Sequence, residues 1–445
     1  MANTYITRTP SSAGNRKKYT LSFWMKRSSV STAGYFFHCA AGESNPQTAI
    51  EMNTDGTLSF WDSTAIMVTP AASLRDTSAW YHIVIAVDTT QSESSRVKFY
   101  INGVQQTTFS TASGKTIVYP SADYEGAINT TVKHTIGAYN NTSGHYSGLV
   151  SHFHFCDGTQ LAPTVFGETD STTGEWKIKT SPSFTLGTNG FTILKDGNTI
   201  TDQSSNSNDF SLGGGTLTKT EDSPSNVFAT LNPLVAQGDT FANGNNTYTR
   251  SGSGWRGSYS TIGLPSTGKF YCEFKISSGS NLADLRAGIA DDKLDGCIDL
   301  QNRGQVNQIG VPTNSISYTA SNGNADINNS TTSSYGAAIS TSNVLGMAID
   351  MTNMKLYYSK DGSWQNSGNP ESGATGTGAL SIPATTGTYF VGVGVNTSGW
   401  YVNFGNGTFG TAAISSEGTN ASGIGKFEYD VPAGYTALST KGLNE

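Results

Sequence analysis

Histidine, cysteine, carboxylate and tryptophan side chains are unevenly spaced along this sequence, and the spacing selects among the chemistries open to them. His152, His154 and Cys156 alternate with Phe153 and Phe155 in "SHFHFCDG". On a strand the three would share one face and could hold a metal such as zinc. The same alternation arises whenever one face of a strand meets a core and the other is partly wet, and that is the simpler reading. The other histidines are His38, His82, His134 and His145, so all six precede residue 155. A pair of carboxylates working as acid and nucleophile would project from one strand face, as in Glu-x-Asp-x-x-Glu. No such pattern occurs, and the nearest acids, Glu168 and Asp170, lie in a turn-rich stretch where they serve turns. There is no Gly-x-Ser-x-Gly elbow, phosphate loop or His-Glu-x-x-His, so the expectation is a protein that is not an enzyme and has no cofactor. Of the seven tryptophans, Trp61, Trp176, Trp255, Trp364 and Trp400 are flanked by Gly, Ser or Asp and so fall near turns. An aromatic ring can stack on the apolar face of a sugar while Asn and Asp take its hydroxyls. "KDGSWQNSGN" (360–369) and "NTSGWYVN" (396–403) offer both, which makes Asp361, Trp364, Asn366, Trp400 and Tyr401 candidate glycan contacts, with Tyr139 and Asn140 beside them. The alternative for each tryptophan is that it caps the end of its own domain.

These side chains need elements to position them, and composition says which kind. Of 445 residues only 13% are charged, against a usual ~25%, and 51 are glycine. Polarity therefore comes from Ser, Thr, Asn and Gly, a composition suited to strands joined by tight turns. The length allows two or three domains. A net charge of −7 without any long Lys/Arg run excludes an electrostatic footprint for nucleic acid. No apolar run is long enough to span a membrane, and the polar first residues lack a signal peptide's apolar stretch. Cys39, Cys156, Cys272 and Cys297 are too few and too scattered for a disulfide framework and read as small buried hydrophobes.

In "WYHIVIAVD" (80–88), Trp80, His82, Val84 and Ala86 alternate with Tyr81, Ile83, Ile85 and Val87. Both faces are largely apolar, which predicts a central strand covered on both sides. "VKFYINGVQQ" follows, with Asn102-Gly103 supplying a type I′ hairpin turn. "LSFWMKRS", "AWYHIVIAVD", "VKFYINGVQ" and "IGAYNNTSGHYSGLVSHFHFCDG", in that order, resemble laminin G-like domains of the concanavalin A-like lectin superfamily. The resemblance implies an antiparallel two-sheet jelly roll, core positions for Trp24 and Trp80, and a structural role for His82. Such domains often bind calcium through loop Asp and carbonyl groups, which makes Asp88, Asn140 and Asn141 candidate donors.

A second strand-rich stretch begins near Gly263. Gly268 to Glu273, Gly288-Ile289-Ala290, Leu345-Gly346 with Asp350, Tyr358 with Asp361-Gly362, and Asn403-Phe404-Gly405 resemble a SPRY domain, which implies another sandwich of the same superfamily. The expected fold is thus all-β: two antiparallel concanavalin A-like sandwiches in series, over 1–162 and 256–410, with an irregular connector carrying short strands over 163–255 and a C-terminal extension over 411–445.

The combination, with "SHFHFCDGTQLAPTVFGETDSTTGEWKIK" and "DSPSNVFATLNPL", resembles virion-exposed proteins of tailed bacteriophages, those of marine phages in particular. That resemblance implies a virion structural protein such as a tail fibre, made in the host bacterial cytoplasm and displayed on the virion surface. Its partners would be other virion proteins and a host surface polysaccharide, with self-assembly, for instance as a trimer, giving avidity to weak sugar contacts. A purely architectural role in capsid or tail, through protein–protein contacts alone, is the alternative. A divergent glycan hydrolase is disfavoured by the missing carboxylate pair.

Overall fold

A computed structural model describes residues 3–40, 47–63, 65–140, 143–195, 199–235, 239–252, 254–279, 282–292, 309–310 and 313–445; Asn141 and Cys297 lie outside these residues. The described elements are β-strands and short 3-10 turns, in two compact units, Met1–Leu217 and Thr218–Glu445.

The strands of the first unit are, in chain order, β1 (Tyr5–Arg8), β2 (Lys18–Arg27), β3 (Gly34–Ala40), β4 (Gln47–Met52), β5 (Leu58–Asp62), β6 (Ile66–Val68), β7 (Trp80–Asp88), β8 (Val97–Ile101), β9 (Val104–Gln105), β10 (Lys133–Ile136), β11 (Gly148–Asp157), β12 (Gly167–Thr169), β13 (Trp176–Ile178), β14 (Phe191–Ile193) and β15 (Ser211–Gly214). One sheet has seven strands in the order β15-β1-β10-β3-β4-β5-β6, and the facing sheet six, β14-β11-β2-β7-β8-β9. Every pairing within them is antiparallel. Leu21, Phe23 and Met25 of β2, Ile83, Ile85 and Val87 of β7, and Phe153 and Phe155 of β11 enter the core between the sheets. Asn102 and Gly103 both take positive φ, 48° and 78°, and close the β8–β9 hairpin as the Asn-Gly pair requires.

The second face of β7 is covered as well. Val84 and Ala86 pack under Phe166, Leu161, Val165 and Phe184, and the β12–β13 hairpin lays the Trp176 indole over His82, ring centroids 5.9 Å apart. Asp157, at the end of β11, ties three loops together: its carboxylate accepts hydrogen bonds from the Asn15 N–H (2.7 Å), the Asn129 Nδ2 (2.6 Å) and the Asn189 N–H (3.0 Å).

In the second unit the strand Lys269–Ser278 runs between Val344–Asp350 and Gly399–Asn403 in a nine-stranded sheet. A six-stranded sheet built around Leu285–Asp291 and Tyr389–Val395 faces it. Phe270, Cys272, Phe274 and Ile276 form the core with Ala287, Ile289, Val391 and Val393. On the opposite face, Tyr271, Ala348 and Tyr357 are buried by Phe427, Val431, Tyr435 and Ala437 of the C-terminal segment. Residues 411–445 are therefore a cover for this sheet rather than an appendage. The stretch 163–255 divides in the same way: 163–217 cover and edge the sheets of the first unit, and 218–255 supply strands of the second. Their apolar residues are too irregularly spaced to read as strands, because they fill gaps on a sheet face instead of alternating across one.

Glu273 anchors this cover from a fully buried position. Its Oε1 accepts from the Tyr429 N–H (2.9 Å) and the Tyr271 hydroxyl (3.3 Å), and its Oε2 from the Glu428 N–H (2.9 Å) and the Asn403 Nδ2 (3.1 Å). The Asn403 Oδ1 in turn accepts from the N–H groups of Gly405 and Gly407, both at 3.0 Å. Glu273 and the Asn403-Phe404-Gly405 triplet thus form one buried clamp. Burial pushes the Glu273 carboxyl up to about 7, against the opposing pull of these donors. Because that value lies above the ordinary 4.5, the folded state binds a proton that the unfolded state does not between the two values. The second unit is expected to keep this stability below pH 4.5 and lose it as pH rises through about 7. Glu273→Gln, which turns an amide NH2 toward N–H donors, is expected to cost about 1–3 kcal/mol and to abolish that pH slope. Denaturation midpoints and amide exchange at Glu428 and Tyr429 across this range check both effects. A slope that persists in the variant would assign the titration to another group.

Candidate functional site

The outer face of the seven-stranded sheet is where the described structure gathers half-exposed aromatic and polar side chains. A bulge in β3 between Tyr35 and Phe37 breaks its alternation. Phe36 and Phe37 both enter the core, so Tyr35 and His38 both stand on the outer face. Tyr35 pairs across the ladder with Glu51 of β4, and Glu51 with Ser59 of β5. The Trp61 Nε1–H donates to Glu51 Oε2 at 2.9 Å. Burial, helped by the charge of the same carboxylate, pushes the Tyr35 phenol up to about 12. Gln47 Oε1 accepts from the Tyr139 hydroxyl (3.0 Å) and lies 3.1 Å from His38 Nε2. Burial lowers the His38 pKa, so the ring is neutral near pH 7 and its Nε2–H serves as the donor to Gln47.

The rings interlock. Tyr35 meets Trp61 edge-on (6.4 Å, 76°) and Tyr139 at a tilt (4.8 Å, 46°), and Tyr139 meets His38 at 4.5 Å. Gly144 lets the return loop pass beneath Tyr35, since a Cβ there would stand 2.7 Å from its ring. The result is an aromatic surface with a carboxylate and a carboxamide set into it. It can take the C–H face of a ring-shaped ligand on Tyr35, Tyr139 or Trp61, and that ligand's hydroxyl groups on Glu51 and Gln47.

Of the residues singled out in the sequence, Tyr139 belongs to this surface and Asn140 adjoins it in a left-handed conformation, φ 45°. The other candidates are placed elsewhere. Trp400 is 0% exposed and meets Phe274 edge-on in the second core, so it cannot stack on a sugar. Its neighbour Tyr401 is half-buried on the opposite face of that strand, against Gly410. Trp364 sets its ring edge-on against Tyr271 and Tyr357 and helps clamp the C-terminal cover. Asp361 accepts from the Val344 N–H (2.8 Å) and Asn343 Nδ2 (2.6 Å), which fixes its turn, and Asn366 Nδ2 donates to the Gly378 carbonyl at 3.3 Å. Both "KDGSWQNSGN" and "NTSGWYVN" thus carry structural contacts. The sequence placed Trp61 among the turn-flanked tryptophans without choosing it, and Tyr35, Gln47 and Glu51 were missed because the bulge hides which residues of β3 face outward.

The Asp88 carboxylate is engaged by Thr90 and Gln91 and by Lys18 Nζ at 3.3 Å. Among the described residues no three His, Cys, Asp or Glu come together to hold a metal ion. His154 stacks on Phe166 (5.5 Å), and Cys156 Sγ donates to the Thr185 carbonyl at 3.1 Å. His82 accepts from Trp176 Nε1–H at Nδ1 (3.0 Å), so its Nε2–H faces Ser22 Oγ (2.9 Å), and burial depresses its pKa to about 3.

This placement separates two kinds of tryptophan. Trp400→Ala is expected to destabilise the second unit by about 3–5 kcal/mol, whereas Trp61→Ala, at a half-exposed position, leaves the fold intact. Chemical denaturation of the two variants checks this. Equal, small losses in both would contradict the burial assigned to Trp400.

Residues 1–166 match a laminin G family of the concanavalin A-like lectin/glucanases superfamily. No curated protein matches the chain. Among solved structures, a human SPRY domain is 14% identical, with 37% of this chain and 94% of that chain covered and a TM-score of 0.28. The SPRY domain of human HERC1 is 13% identical over 39% of this chain and 96% of its own, with a TM-score of 0.30. Domain 4 of the arabinanase AbnA from Geobacillus stearothermophilus, solved with arabinotriose, is 18% identical over 33% of this chain and 64% of its own, with a TM-score of 0.25.

Proposed function

We propose that this protein is a non-enzymatic surface component of a tailed-phage virion, such as a tail fibre, and that it holds a host surface polysaccharide on the outer face of its seven-stranded sheet. The observation that carries the binding half of this reading is the Tyr35–Glu51–Trp61 arrangement, extended by Gln47 and Tyr139, on the face of a lectin-type domain. Ring faces and hydrogen-bond acceptors within one surface are what a saccharide needs. The virion half rests on the likeness of residues 151–179 and 222–234 to virion proteins of tailed phages. Of the described residues, the large exposed apolar side chains Val104, Val118, Leu212, Leu234 and Leu443 sit on separate segments.

The test is binding of the purified, labelled full-length chain to a panel of immobilised bacterial polysaccharides, neutral, amino and acidic. Saturable binding to at least one is expected. Trp61→Ala and Tyr35→Ala are expected to weaken it about tenfold or more, and Trp364→Ala to leave it unchanged. A folded chain that binds none of the panel, or binds equally well after Trp61→Ala, would overturn the assignment of this face.

A further inference from the structure

The charge of the site narrows its ligand. Glu51 is the one ionised group among the side chains described for this surface: His38 is held neutral, and the other members are Tyr, Trp and Gln. Lys133 of β10 pairs with Ala40 of β3, whose other neighbour is Gln47, and lies five residues along β3 from Tyr35, roughly 16 Å at ~3.3 Å per residue. Lys115, which reaches the β4–β5 turn from the segment after β9, is paired with Asp55 at 2.7 Å and with Thr57 Oγ1 at 3.3 Å. Arg8, on the neighbouring β1, turns inward to Asn189 and Asn208. The result is a carboxylate held by the Trp61 N–H beside the Tyr35 and Trp61 rings, with Lys115 already paired to Asp55. Carboxylate and aromatic rings both attract a cation, and both repel a uronate, sialate or phosphate.

Taking the outer face as a saccharide site, as above, we infer that its ligand is an amino sugar whose protonated amine is seated between Glu51, Tyr35 and Trp61. Acidic polysaccharides are excluded by the same charge, and neutral sugars gain only the stacking and hydroxyl contacts.

Calorimetric titration of the full-length chain with a tetramer of β-1,4-linked glucosamine, its fully N-acetylated counterpart and a neutral glucose tetramer separates these ligands. The free amine is expected to bind about tenfold tighter than the acetylated or neutral tetramer, with the advantage shrinking as salt is raised or as pH rises above the amine's own pKa. Glu51→Gln keeps an acceptor for the Trp61 indole and is expected to remove the amine's advantage over the acetylated and neutral tetramers. Trp61→Ala is expected to weaken all three. If the neutral or acetylated tetramer binds as tightly as the amine, or if Glu51→Gln leaves the amine's advantage intact, the amino-sugar inference falls and the saccharide face stands. If no tetramer binds while another polysaccharide is held through Trp61, the inference also falls. If nothing binds through Trp61, both readings fall together.

Discussion

A strand that is apolar on both faces cannot be buried by a single partner sheet. Trp80–Asp88 is of this kind, and Lys269–Ser278, which buries Tyr271 and Glu273 on the face opposite its core residues, needs a cover for the same reason. In the first unit, residues 161–184 close over Val84 and Ala86. In the second, residues 427–437 close over Tyr271, Ala348 and Tyr357. Each large side chain so buried contributes roughly 1.5–3 kcal/mol. That is enough to hold chain with little secondary structure of its own against the entropy of ordering it. The polar anchors follow from the same need. A cover made of loops brings backbone N–H groups into a dry interface, and buried carboxylates such as Glu273 receive them.

The seven-stranded sheet is built differently, and its difference explains the site. Its outward side chains are tyrosine, histidine, glutamine, glutamate and tryptophan, which bond to one another across the strands and tolerate water. Ladder pairing fixes Tyr35 beside Glu51, and the Glu51–Trp61 bond fixes the indole. The Tyr35–Glu51–Trp61 part of the surface is therefore set by the sheet itself, which favours a rigid platform for a ring-shaped ligand.

Much of the fold could be read from the sequence because alternation is strict where the core is deep. The two-faced character of residues 80–88, the Asn102-Gly103 turn and the inward Phe153 and Phe155 all follow from period-two spacing and turn chemistry, and the structural role of His82 from the laminin G-like resemblance. The covers could not be read, since Phe166, Trp176 and Phe427 lie among Gly, Ser and Thr with no period. The site was legible only at Tyr139. A single bulged residue in β3 reverses which of Tyr35 and Phe36 faces outward, and no local signal marks it. The tryptophans in loop-like contexts misled for the opposite reason. Gly399-Trp400-Tyr401 looks like a turn, yet it is a strand whose Trp400 fills the core.

The seven indole N–H groups give separate reporters on one chain. The most direct measurement is a two-dimensional NMR titration of their resonances with the glucosamine tetramer. The outer-face site requires the Trp61 signal to shift in a saturable way while those of Trp176, Trp364 and Trp400 stay in place. Saturable shifts at Trp364 or Trp400 with Trp61 unmoved would contradict it and return the binding site to the second unit.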